Sequence, residues 1–135
     1  WGHDVGPEDN LFEAGLSWAA KPDAGDFIGI NGYKEQLQAN GTERRLVQFK
    51  LDDTEAMLFH NEPIIMNGEI VGYLTSGMYG HSVGSAIGMG YVNMPNLSPI
   101  RLSKANFEIE IALERFSAQA SLRGFYDPKG LRPKA

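Results

Sequence analysis

The sequence predicts a mostly β domain of about six short strands, in a sandwich or a small Greek-key barrel, preceded by a short mixed α/β segment. Three observations predict it. The 135 residues hold 16 Gly and 7 Pro, a supply of turn formers that favours short strands over a helical bundle. Beyond residue 42 apolar and polar side chains alternate with a period of two, as in half-buried strands. Asn67-Gly68 stands between two apolar runs, the pattern of a type I′ hairpin turn whose central residues both need positive φ.

Residues 1–40 read differently from the rest. Gly2, Gly6 and Pro7 punctuate the start, and Asp9 or Asn10 is placed to cap a turn. Leu11 to Lys21 carries Phe12, Leu16 and Trp18 among small residues, which fits a helix or a turn leading into a strand. Pro22 and Gly25 end it. Asp26 is a candidate N-cap for a helix over Phe27–Gln38, although Gly29 and Gly32 each weaken that helix by about 1 kcal/mol. After Asn40-Gly41 the strands begin. Val47, Phe49 and Leu51 point one way, with Gln48 and Lys50 opposite. Residues 52–61 connect, with a short helical turn expected at Thr54–Phe59. Ile64–Met66 and Ile70–Leu74 flank the Asn-Gly turn. Ser85–Val92 reads as a further strand, Phe107–Leu113 alternates strictly with glutamates, and Phe116, Ala118 and Ala120 extend the alternation.

Composition excludes several classes. Hydrophobic residues make up 42% and charged residues 21%, a globular rather than a disordered balance. The net charge of −5 is spread along the chain, which argues against nucleic acid and against an anionic membrane surface as partners. Without cysteine there is no thiolate nucleophile, disulfide framework or cysteine zinc site. No apolar run approaches the ~18 residues of a membrane-spanning helix, and no stretch reads as a signal peptide. The chain opens at Trp1, inside what reads as a motif, so a piece of a longer protein is expected.

Candidate chemistry is sparse. His3 and His81 each sit among glycines, but no third ligand is spaced to join them, so a hydrogen-bonded structural or ligand-lining role is favoured over a metal site. A triad of Ser82, His81 and Asp4 fails because strand neighbours point to opposite faces and no nucleophile elbow surrounds the serine. Thr75-Ser76-Gly77 is expected to end a strand, its hydroxyls satisfying backbone. The glycine-rich stretch 84–90 lacks the Lys-Ser/Thr ending and following helix of a phosphate loop, and fits strand glycines at a barrel bend. Trp1, Phe12 and Trp18 offer stacking surfaces for a flat heteroaromatic ligand, although on composition alone a core role is favoured.

Several of these stretches form a set. Trp1-Gly2-His3-Asp4, Glu13-Ala14-Gly15-Leu16-Ser17-Trp18, Asp26-Phe27-Ile28-Gly29, Gly72–Gly77 and Ile87–Val92 together resemble the aminomethyltransferase (T-protein) family of the glycine cleavage system. Tyr79–Gly84 and Tyr126–Gly130 are similar to the folate-binding C-terminal half of sarcosine and dimethylglycine dehydrogenases. Ser17 departs from the family's glycine, and Ile30-Asn31-Gly32-Tyr33 departs from its Arg-Glu-Ala-Leu run, which bears on the helix.

The resemblance implies a C-terminal β-barrel domain over 41–135, preceded over 1–40 by the tail of a folate-binding domain with a short helix. It implies tetrahydrofolate as cofactor of the intact protein, in a channel between domains, and allows an FAD oxidoreductase domain upstream. A carboxylate of the missing N-terminal folate-binding domain would assist one-carbon transfer. Trp1 matches a family position that lines the folate pocket, and Trp18 is a second, less direct candidate. No catalytic residue and no metal ligand is assigned in this stretch, so it is expected to be inactive alone. The expected reaction passes a one-carbon unit from a methylamine-type donor (glycine-derived, sarcosine or dimethylglycine) to tetrahydrofolate. A folate-dependent demethylase, or a barrel that only docks a partner domain, is the alternative. The compartment implied is the bacterial cytoplasm or the mitochondrial matrix.

Overall fold

The structure, a computed structural model, describes residues 1–39 and 41–134. Asn40, part of the expected divide between the two regions, and Ala135 lie outside the described residues. The strands are β1 (Arg45–Leu51), β2 (Pro63–Met66), β3 (Glu69–Gly80), β4 (Ser85–Val92), β5 (Phe107–Ile111) and β6 (Glu114–Ser121). They close into an antiparallel barrel in the order β1-β4-β3-β2-β5-β6. β2, β3 and β4 form a meander, and β1 lies beside β4, which is Greek-key order. Because β1 pairs with both β4 and β6, the barrel leaves no open sheet edge.

The alternation read from sequence places the core. Val47, Phe49 and Leu51 of β1 are fully buried, with Ile64, Leu74, Val92 and Ile109 around them. The Phe49 and Phe107 rings meet with centroids 5.6 Å apart. Leu58, on the connection from β1 to β2, joins this core at 1% exposure. Gly77 of β3 makes room for it: a Cβ there would stand 2.6 Å from the Leu58 Cβ. The connection from β4 to β5 carries a short helix over Pro99–Lys104, N-capped by Ser98, whose hydroxyl accepts from the Arg101 amide at 3.3 Å.

Five local expectations are corrected. The helix, α1, runs over Ile30–Ala39 and does not begin at Phe27. Gly29 takes φ +92°, outside the right-handed helical region, so Asp26 stands too far upstream to be its cap. Leu11 to Lys21 is a series of turns with a 3-10 turn at Ser17–Ala19. Thr54–Phe59 forms no helical turn; the Asp53 carboxylate instead accepts from the Glu55 and Ala56 amides at 2.7 and 3.0 Å. Thr75-Ser76-Gly77 does not end β3, which continues to Gly80 beside β4. The glutamate-rich alternation breaks at Ala112-Leu113, which turn at φ +49° and +71° from β5 into β6.

Candidate functional site

The N-terminal strap, residues 1–9, lies against the outside of the barrel. Its hold is Asp4. One carboxylate oxygen of Asp4 accepts from the Thr75 hydroxyl at 2.5 Å and from the Ser76 hydroxyl at 2.8 Å. Adjacent strand residues ordinarily face opposite sides of a sheet. Here the register between β3 and β4 shifts between Leu74 and Ser76, leaving Thr75 as the extra residue of a bulge. The bulge brings both hydroxyls to one side. The Thr75 oxygen also stands 3.1 Å from the Met89 carbonyl. Its single proton goes to the nearer, charged acceptor, since hydrogen bonds to ionised groups are shorter and stronger.

Tyr91 of β4 completes the hold. Its hydroxyl donates to the Asp4 carbonyl at 3.0 Å. The Arg44 guanidinium stacks over the same ring, 4.6 Å from its centroid. Arg44 also donates to Asp9 at 2.7 Å and to Glu13 at 3.3 Å. Burial, with the Asp9 carboxylate as the next cause, pushes the Tyr91 hydroxyl up to about 12. Arg45 beside it donates to the Phe12 carbonyl, and burial lowers its guanidinium from the ordinary value. The stretch 13–18 thus has a mechanical meaning. Glu13 grips Arg44, Ala14 is buried, and the Glu13 carbonyl accepts from the Leu46 amide at 2.8 Å.

Trp1 and Trp18 are both largely exposed, at 88% and 77%. Among the described residues no ring pairing joins them to each other or to another aromatic; the aromatic cluster of this region is Phe12, Tyr33 and Phe27. His3 is exposed, and His81 sits in the β3–β4 turn with its ring edge-on to Tyr79 at 5.3 Å. Among the described residues no three His, Asp or Glu side chains are grouped to hold a metal ion. Sequence reasoning missed the roles of Asp4, Thr75, Ser76 and Tyr91. Their signal was present, since Asp4 and the Thr-Ser-Gly stretch both stand in motifs, but nothing in one dimension joins positions 71 residues apart.

The family model of the glycine cleavage T-protein C-terminal barrel domain matches residues 44–127. The chain belongs to that family. Aminomethyltransferase of Synechocystis sp. is 39% identical over 82% of this chain and 28% of its own length. Human mitochondrial sarcosine dehydrogenase is 34% identical over 99% of this chain and 15% of its own length. The 4-methylaminobutanoate oxidase (formaldehyde-forming) of Paenarthrobacter nicotinovorans is 36% identical over 97% of this chain and 15% of its own length. The crystal structure of glycine cleavage system aminomethyltransferase T from Bartonella henselae superposes with a TM-score of 0.72 and 25% identity, over 90% of this chain and 33% of that one.

This T-protein-type barrel therefore spans a small share of the relatives it matches. Two of the motifs that carry the family resemblance, Trp-Gly-His-Asp and Thr-Ser-Gly, are in contact through Asp4. Among the described residues no helix is long and apolar enough to cross a membrane.

Proposed function

We propose that this chain is the C-terminal part of an enzyme that passes a one-carbon unit from a methylamine-type donor to tetrahydrofolate. Residues 1–40 are the tail of its folate-binding domain, residues 41–135 its barrel domain, and Trp1 lines the folate channel with Trp18 as a second wall. One observation carries this reading. Similarity to sarcosine dehydrogenase covers 99% of the chain, so it extends beyond the barrel match at 44–127 into the segments that bear both tryptophans. Both indoles are exposed there, as stacking surfaces for a flat ring must be.

The fit to folate is partial. A pterin presents an amide and amino edge that calls for a carboxylate. Asp4 is engaged by two hydroxyls, and Asp9 and Glu13 by Arg44. In the arrangement that the family resemblance implies, the carboxylate that meets the pterin comes from a domain beyond this sequence, and the piece alone is inactive. Residues 84–90 do not fit a dinucleotide phosphate, since Gly84 ends a turn and the rest lies within β4, with no helix starting from the glycines. A flavin belongs to an upstream oxidoreductase domain. The names of the oxidase and the dehydrogenase favour an N-methylated amine as donor. The setting that goes with this reading is a bacterial cytoplasm or the mitochondrial matrix.

The test is turnover by the full-length protein with sarcosine and related N-methyl amines, with and without tetrahydrofolate. The expected outcome is a folate one-carbon adduct in place of free formaldehyde. Equal formaldehyde release under both conditions overturns the reading.

A further inference from the structure

We propose that Asp4 is the positioning residue for Trp1, holding the strap on the β3 bulge so that the indole is presented at a fixed place. This rests on Trp1 as a wall of the folate channel. Within residues 1–135 Trp1 is 88% exposed, so no packing inside this stretch fixes it. What fixes the strap is three residues away: the Asp4 carboxylate on Thr75 and Ser76, and the Asp4 carbonyl on Tyr91. The one other backbone tie among the first four described residues is the tight turn from the Gly2 amide to the Val5 carbonyl at 2.9 Å. A side chain that contributes by stacking must be ordered before the ligand arrives, otherwise binding bears the ordering entropy. The bulge at Thr75 is the sequence's provision for this, because a regular strand would turn one of the two hydroxyls away. The function of the anchor is acceptance of two hydrogen bonds. A neutral amide oxygen accepts equally many, in weaker bonds.

The experiment uses the full-length protein, with tetrahydrofolate affinity measured by calorimetry and the folate KM and kcat measured alongside. Asp4→Ala is expected to weaken affinity by about tenfold, the same as Trp1→Ala, because a stacking contact of this kind is worth about that factor. The double variant is expected to be no worse than Trp1→Ala alone, the non-additivity of residues that act through one another. The loss is expected in KM with kcat kept, since uniform binding is removed. Asp4→Asn is expected to retain near-parent affinity. Should Asp4→Ala fail to fold, Thr75→Val combined with Ser76→Ala removes the donors and leaves the strand, with the same loss expected. Parent affinity in the anchor variants, while Trp1→Ala is weakened, overturns this proposal and leaves the channel reading standing. Additive losses in the double variant also overturn it. Parent affinity in Trp1→Ala itself overturns the channel reading, and the positioning role falls with it.

Discussion

Trp1, at the start of the strap, and Tyr91, on the strand beneath it, show how differently two aromatic residues are used. Trp1 packs against nothing that holds the barrel together, so its removal should cost affinity rather than barrel stability. Trp1→Ala in the full-length protein should weaken tetrahydrofolate binding by about tenfold, and Trp1→Phe should recover most of it because a ring face remains. A fall in melting temperature with unchanged affinity would show the ring to be packing only. Tyr91 is buried under Arg44 and holds the strap from beneath. Its hydroxyl is pushed from 10.0 up to about 12 by burial, then by Asp9. A raised pKa means that the folded state keeps its proton where the unfolded state loses it. The associated stability is therefore complete below pH 10 and lost as pH rises towards 12. Alkaline titration followed by tyrosinate absorbance should show one of the five tyrosines ionising late, and Tyr91→Phe should remove that phase.

Two hairpin turns allow the same backbone rule to be tested in opposite directions. Asn67-Gly68 joins β2 to β3 with φ +52° and +93°, and Met66 faces Glu69 across it. This is the turn that the Asn-Gly pair announces. Gly68→Val should lower stability by about 1–2 kcal/mol, because a β-branched residue resists positive φ. Ala112-Leu113 joins β5 to β6 with both φ values positive as well, yet carries neither Asn nor Gly. Leu113 is 90% exposed, so nothing in the core depends on it. Ala112→Asn with Leu113→Gly should raise stability by about 1 kcal/mol, the relieved left-handed strain less the added freedom of glycine in the unfolded chain. Thermal unfolding of both variants checks the pair, and a change of the same sign in each would count against the shared turn geometry.

For the molecule as a whole, the barrel closes on its own strands, whereas the proposed ligand surface is left open. The six strands supply most of the core, and Leu58, Leu97 and Leu102 from the connections complete it. Asp4, Asp9 and Glu13 are already engaged, and both tryptophans face outward. Residues 1–135 alone should therefore bind tetrahydrofolate far more weakly than the full-length protein, by calorimetric titration of each. Micromolar binding by the piece would place the pocket inside it and displace the proposed channel.

The sequence by itself determined the class of fold, the strands with clean alternation, the Asn-Gly hairpin and the family. Each strand and the Asn-Gly turn is a property of local period and composition, and the fold class and family follow from the order of such local signals along the chain. It misplaced the start of α1, because the φ of Gly29 is set by the turn in which it sits. The β5–β6 turn escaped it, because strand closure forces left-handed φ on residues that do not advertise it. Only the tertiary structure decided that β3 runs on through a bulge, and that Asp4 spans 71 positions to meet Thr75. The physical reason is that a barrel joins residues through strand register. Register is fixed when the whole sheet closes, so a contact of this kind exists for no shorter stretch of the chain.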